Sequence, residues 1–267
     1  MTSRRTFLSP AVLAGAALVA VALACGEVPT LPLGVAYISP VILPAPAVAL
    51  GDTLRDSLGK VTPLKVYGID NAGDTVAGLT PLFVVTTVPG KSVHLTPTNL
   101  AIGDSIRTAT IVGQVGTRLQ TPGALLDVVR QPDSIAASSA ATARFPAPAT
   151  GAVTSTVPLA VSVTSPPTAT VARTGVRSII VRYVVTRIFP AAASIPDTTL
   201  VLVDESGRFR LPTGRESRDT TDAAGGASRQ IRAIPLGFDS VEISVTANNL
   251  RGIPLKGSPI RFVVTTK

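Results

Sequence analysis

The sequence predicts an all-β protein, with two tandem β-sandwiches behind a cleaved signal peptide and a short tether. Three observations support this class. Short runs rich in Val, Ile and Thr alternate apolar and polar residues, helical periodicity is almost absent, and clusters of Gly, Asp, Asn and Pro separate the runs. With 45% hydrophobic residues, 22 Gly and 23 Pro among 267 residues, the chain has enough apolar side chains for a core and is not low-complexity.

Residues 1–24 have the layout of an export signal. Arg4 and Arg5 form a charged start, and residues 11–24 are uncharged and dominated by Ala, Val and Leu. This run is shorter than the roughly 20 residues that span a membrane, so it is typical of a secretory peptide. The segment around Arg4 and Arg5 resembles a twin-arginine export signal, and a general secretory signal is the alternative.

Cys25, the only cysteine, follows directly after this apolar run. Residues 21–25 resemble a bacterial lipobox, whose cysteine is alkylated by diacylglycerol and becomes the first residue after cleavage. The resemblance predicts a lipidated tether over residues 25–34 and a lipoprotein of the outer membrane or cell surface, with the membrane as partner. Two alternatives remain: an ordinary cleaved signal in which Cys25 is incidental, or an uncleaved anchor helix that begins at Phe7.

The first predicted sandwich covers residues 35–130. The Asp70–Asp74 cluster is a turn signal between strands, because Asp, Asn and Gly favour turn geometry. The candidate strands of this half are residues 64–69, 82–87, 92–96, 105–112 and 124–130.

The second predicted sandwich covers residues 131–267 and has a proline-rich leading segment. Residues 131–156 are rich in Pro, Ser, Ala and Thr, which predicts a linker or a loosely ordered first strand. We expect the two sandwiches to fold separately. The polar, arginine-rich residues 209–219 are predicted to form a long loop. The candidate strands of this half are residues 176–188, 199–203, 241–247 and 260–264.

Several turn motifs resemble one family. Residues 221–228, the strand at 241–247 and residues 257–262 are similar to the end of a bacterial immunoglobulin-like domain of the invasin–intimin type. In that family a Thr-Asp-x-x-Gly-x-Ala turn leads into a strand. Residues 66–76 resemble the strand and Asp-x-x-Gly turn of the same group. The resemblance implies immunoglobulin-like sandwiches, and it supports the fold better than the function.

The sequence contains no recognisable catalytic or metal-binding pattern. Phosphate-binding loops, nucleophile elbows and zinc-ligand spacings are all absent, so we expect no cofactor and no enzymatic activity. His94, the only histidine, lies in a short strand, where a surface or packing role is expected. Calcium needs about six to eight oxygen ligands, so acids at turns are expected to cap the turns instead. These acids are Asp70, Asp74, Asp219 and Asp222.

Basic charge is concentrated in the second half of the chain. Residues 151–267 hold fourteen basic and eight acidic residues, whereas residues 26–150 hold eight of each. Twelve of the fourteen are arginines, which suit bidentate contacts with carboxylate or phosphate but also solvate strand faces and edges. The candidate anion-binding residues are Arg208, Arg210, Arg215 and Arg218.

Together these patterns predict a non-enzymatic cell-envelope lipoprotein whose immunoglobulin-like domains act as a surface spacer, adhesion or binding module. An exported binding protein for anionic polysaccharide is the first alternative, and an exported hydrolase is the second. The expected partners are the membrane, through the lipid on Cys25, and anionic envelope polymers or other surface proteins. Nucleic acid is not an expected partner.

Overall fold

The computed structural model describes residues 34–86, 91–116, 118–148, 153–190, 199–206, 214–234 and 237–266. Within these ranges the regular secondary structure is entirely β, so the predicted all-β class is confirmed. No helix in the same ranges is long and apolar enough to cross a membrane. Every strand pairing joins residues on one side of position 130. We therefore use "first half" for residues 34–130 and "second half" for residues 131–266.

The first half is built around one larger sheet. Its strands are β1 (Tyr37–Ile38), β2 (Ala47–Ala49), β3 (Gly68–Ile69), β4 (Thr75–Val76), β5 (Leu82–Val85), β6 (Val93–Leu95), β7 (Ala101–Gly103), β8 (Thr108–Val115), β9 (Leu119–Gln120) and β10 (Ala124–Val129). The larger sheet has the order β2-β10-β8-β5, with β9 paired to β8, while β1-β3-β4 and β6-β7 form small sheets. Leu54, Ile111 and Leu126 are fully buried at the centre of its core.

The second half is a sandwich of two sheets. Its strands are β11 (Ser134–Ala137), β12 (Thr142–Arg144), β13 (Ser155–Thr164), β14 (Ile180–Phe189), β15 (Leu200–Val203), β16 (Glu216–Thr220), β17 (Gly226–Ala233), β18 (Ser240–Ala247) and β19 (Ile260–Thr265). One sheet has the order β11-β13-β17-β15 and the other the order β12-β19-β18-β14-β16. Leu159 and Ile231 from the first sheet share a core with Tyr183, Ile243 and Phe262 from the second.

The last strand of each half has the same kind of pairing. A short early strand pairs in parallel with the last strand of its half, β2 with β10 and β12 with β19, whereas the other pairings are antiparallel. Alternation places the side chains of β18 as the sequence predicted, with Val241, Ile243, Val245 and Ala247 buried. The immunoglobulin-like sandwich is therefore the observed architecture.

Two stretches need comment against the sequence-based expectation. Of residues 131–156, the structure describes 131–148 and 153–156, and β11 and β12 lie in the first of these ranges, so the alternative of a first strand of the second half fits better than a linker. The prediction of a long loop over 209–219 is wrong for residues 216–219, which lie in β16, while residues 209–213 lie outside the described residues. β16 forms because its backbone pairs with β14, and this pairing does not require an apolar sequence.

Among the described residues, one turn geometry occurs four times, twice in each half. In each case the first side chain accepts hydrogen bonds from the backbone amides two and four residues later, and a glycine in the fourth position has φ between +79° and +91°. Glycine adopts such angles without a steric penalty. The expected turn-capping role is confirmed for Asp70 and Asp222. The four turns are Asp56–Gly59, Asp70–Gly73, Asp222–Gly225 and Asn249–Gly252.

Candidate functional site at the junction of the two halves

The candidate residues from the sequence fall into two groups. Cys25, Arg4, Arg5, Arg208 and Arg210 lie outside the described residues. Arg215 immediately precedes β16, and the exposed Arg218 lies within this strand, next to β14. The structure therefore places these last two residues at the edge of a sheet rather than on a loop.

Several other arginines of the second half are bound to carboxylates. Arg173 Nη1 lies 2.6 Å from Asp133 Oδ1, and Arg182 binds Glu216 through two contacts of 2.7 Å. Desolvation opposes ionisation of Asp133, but hydrogen bonds from Arg173 and Ser134 outweigh it and lower the pKa of Asp133. The hydrogen bonds with Glu216 raise the pKa of Arg182 and lower that of Glu216. Part of the basic excess is thus neutralised locally.

Asp127 of β10 forms the first polar contact between the halves. Arg177 Nη2 lies 2.9 Å from Asp127 Oδ1, and the Ser178 hydroxyl donates to the other carboxylate oxygen. Thr108 on β8 donates to Asp127 Oδ1 at 2.6 Å and accepts from Arg177 at 3.0 Å. Ser178 has φ of +61°, a conformation that non-glycine residues seldom adopt. The backbone of Ser178 therefore adopts an unfavourable angle at the point where the Ser178 hydroxyl binds Asp127.

Asp52 forms the second polar contact. Its Oδ2 accepts from Arg251 Nε of the second half at 2.7 Å, and its Oδ1 accepts from Arg55 at 3.3 Å and the Thr53 amide at 2.8 Å. Burial disfavours the ionised carboxylate, but these donors outweigh burial and hold the pKa of Asp52 below its usual value. The Asp52 carboxylate therefore binds both the backbone of its own segment and an arginine of the second half.

Two of the four equivalent turns, one from each half, face each other next to the contact between Asp52 and Arg251. A Cβ on Gly59 would lie 2.1 Å from the carbonyl oxygen of Arg251, and a Cβ on Gly252 would lie 2.6 Å from the carbonyl carbon and oxygen of Leu58. These approaches are closer than any side chain permits, so both positions require glycine. The turn at residues 56–59 and the turn at residues 249–252 are therefore interlocked backbone to backbone.

Apolar packing also crosses the junction. Ala47 and Val129, from the two paired strands β2 and β10, belong to the same hydrophobic cluster as the core of the second half. Their exposed fractions are 1% and 3%. The junction thus combines buried apolar contacts, two aspartate-centred clusters and a pair of interlocked turns.

A cleft of about 240 Å³ lies between the polar contacts, lined by both halves. The first half contributes Pro46 and Arg55, and the second contributes Ile180, Arg182 and Arg218. Three guanidinium groups, the Asp56 carboxylate and several apolar side chains therefore share one concave surface.

His94 has a surface role, as the sequence indicated. Its Nδ1 lies 2.7 Å from Asp104 Oδ1, and 47% of the side chain is exposed. In the part of the chain that the structure describes, no group of three or more His, Cys, Asp or Glu side chains is arranged to hold a metal ion.

No protein-family model and no curated protein matches the chain. Solved structures similar to it include the adhesin InvE of Yersinia pseudotuberculosis, at 15% identity and a TM-score of 0.35 over 86% of this chain. The chain spans 58% of that adhesin's length. Domains 4 and 5 of the S-layer protein SbsC match at 11% identity and a TM-score of 0.31, over 86% of this chain and 99% of that one.

Fibronectin(III)-like modules of Clostridium thermocellum CbhA match at 9% identity and a TM-score of 0.29, over 86% of this chain and 94% of that one.

Proposed function

We propose that this chain is a non-enzymatic cell-envelope lipoprotein, anchored through Cys25, that presents two immunoglobulin-like sandwiches as a surface spacer or binding module. The junction is the observation that supports this proposal. Ion pairs, buried Ala47 and Val129, and interlocked turns hold the second half against the first. A fixed junction suits a module that projects a surface away from its anchor.

We expect replacement of Cys25 by alanine to abolish lipid attachment and membrane retention. The reason is that the thiol is the acceptor of the lipid, and no other cysteine can replace it. Labelling with a fatty-acid analogue, cell fractionation and intact-mass measurement check this. The unaltered chain should lose residues 1–24 and gain acyl mass, and a Ser9→Ala variant should do the same. A mature chain that begins elsewhere with a free thiol contradicts the anchor.

The proposed binding activity is weak, salt-sensitive recognition of anionic envelope polymers by the second half. Arginine concentrated in one half raises the local concentration of polyanions within a Debye length of about 8 Å at physiological salt. The ion pairs of Arg173, Arg177 and Arg182 reduce this excess. Among the described residues, Arg218 forms no ion pair with a carboxylate and feels Glu216 only as a neighbouring charge, so it remains available for an anion.

We expect the full chain to bind polygalacturonate at low ionic strength, and a fourfold charge reversal in the second half to weaken this binding. The variant carries glutamate at Arg208, Arg210, Arg215 and Arg218. Its matched control carries the same change at exposed basic residues of the first half: Lys60, Lys65, Lys91 and Arg118. Titration at low and physiological salt measures the affinities. Absent binding, or equal loss in both variants, contradicts a site in the second half.

A further inference from the structure

The junction cleft has a charged wall with an unusual arrangement of like charges. Arg182 on β14 and Arg218 on β16 are directly opposite each other in the antiparallel register. Like charges in this position destabilise a sheet unless something compensates them. Glu216 binds Arg182 through two contacts of 2.7 Å, and it is not hydrogen-bonded to Arg218. Arg218, one of the three arginines that line the cleft, therefore forms no ion pair with a carboxylate, although the neighbouring Glu216 also acts on it electrostatically.

Further unused hydrogen-bond donors surround the cleft. Nε of Arg55 is buried and has no hydrogen-bond partner among the described residues, whereas the two terminal nitrogens of this guanidinium bind Gly59 and Asp52. Asn249 uses its side-chain oxygen to accept the amides of its own turn, which leaves its NH₂ group as a donor. Arg55 and Asn249 both line the cleft, and buried donors usually find acceptors, so the buried Nε of Arg55 and the half-buried NH₂ group of Asn249 favour an acceptor-rich ligand.

Size and apolar lining restrict the ligand further. Pro46, Ile180 and Leu250 also line the cleft, whose volume is about 240 Å³. Pockets for drug-sized ligands begin at about 300 Å³, so this space suits a single small ring and not a long polymer segment. Guanidinium groups bind carboxylate and phosphate by paired hydrogen bonds, while the apolar side chains can contact the C–H face of a ring.

We infer that the junction cleft binds one sugar-sized anion, a monosaccharide unit bearing a carboxylate or phosphate, with Arg218 as its main charged contact. This inference rests on the proposed binding function and deepens it, because it names a specific site within the general basic field. Both halves contribute to the site, so it exists only where the junction is formed.

The test compares two variants on the same strand pair. Arg218→Gln removes the unpaired charge of the cleft. Arg187→Gln is the matched control, since Arg187 is exposed on β14, has no described carboxylate partner and does not line the cleft. Calorimetric titration of the full chain in neutral detergent uses glucuronate, glucose 6-phosphate and glucose as probes. The first two distinguish carboxylate from phosphate, and glucose reports binding without charge.

We expect at least one of the two anionic sugars to bind more tightly than glucose. Arg218→Gln should weaken that binding about tenfold, as the loss of a charge-assisted hydrogen bond does, while Arg187→Gln changes it less than about twofold. If neither anionic sugar binds, the inference is overturned. It is also overturned if Arg218→Gln and Arg187→Gln weaken binding equally. Polygalacturonate binding that survives in either case leaves the general binding function standing, so the two failures are distinguishable.

Discussion

Replacement of Asp127 by alanine should loosen the two halves from each other and lower the stability of the whole chain. The change removes the acceptor of Arg177, Ser178 and Thr108 together. Breaking a buried ion pair costs about 3–5 kcal/mol, and partial exposure of this cluster reduces the expected loss to about 2–3 kcal/mol. Thermal unfolding of the full chain measures this loss.

Trypsin provides a second, local measurement of the same change. Arg130 follows β10 directly and precedes β11, so cleavage after this residue reports on the segment that joins the halves. We expect Asp127→Ala to speed this cleavage. Asp127→Asn should have a smaller effect, because the amide oxygen still accepts hydrogen bonds.

The matched control for Asp127 is Asp70→Ala. Asp70 also accepts two hydrogen bonds in the first half, but these come from its own turn and do not reach the second half. This control should lower stability by about 1 kcal/mol and leave trypsin cleavage after Arg130 unchanged. Unfolding and cleavage of Asp127→Ala that match those of the unaltered chain would show that the ion pair does not hold the junction.

Turns and strands that depend only on residues close together in the sequence could be predicted. The turn-capping roles of Asp70 and Asp222 depend on residues at most four positions apart, so the sequence is sufficient to recognise them. β18 has a clean alternation of apolar and polar residues and was found with nearly correct limits. In both cases the information lies within one short segment.

Strands that depend on their neighbours were not predicted. β13 contains Pro158, a residue that normally argues against a central strand. The structure accommodates it because the amide of Ala160, two residues later, bonds Ser139 on the side away from β17. The missing N–H of Pro158 therefore faces the same side, beyond the end of β11. In β16, pairing with β14 overrides a polar sequence.

The junction could not be predicted from local patterns. Asp52 and Arg251 are 199 positions apart, and neither residue type indicates the other. From the sequence, the excess of arginine in the second half predicts anion contacts or solvation of strand faces and edges. The structure shows that two of these arginines, Arg177 and Arg251, instead bind aspartates of the first half. Separate folding of residues 35–130 and 131–267 stays a prediction, which the unfolding experiments on junction variants also address.

Replacement of Gly59 by alanine should disrupt the junction sterically without touching any charge. The added Cβ would lie 2.1 Å from the Arg251 carbonyl oxygen, which belongs to the backbone of the facing turn and cannot rotate away. Relief therefore requires the two turns to separate, which also lengthens the Asp52–Arg251 ion pair. Strain from a positive φ of about 1–2 kcal/mol and overpacking of about 1–3 kcal/mol together predict a large loss of stability.

Gly73→Ala is the matched control for this substitution. Gly73 occupies the same position of an equivalent turn with φ of +91°, compared with +82° for Gly59, but nothing lies within 4 Å of its Cβ position. Gly73→Ala should therefore show the φ strain alone, and the difference in unfolding free energy between the two variants isolates the clash at the junction. Combining Gly59→Ala with Asp52→Asn adds a second measurement, because two changes at one contact should be less than additive. Equal destabilisation by Gly59→Ala and Gly73→Ala, or full additivity with Asp52→Asn, would show that the facing turns separate freely and that the junction does not depend on their contact.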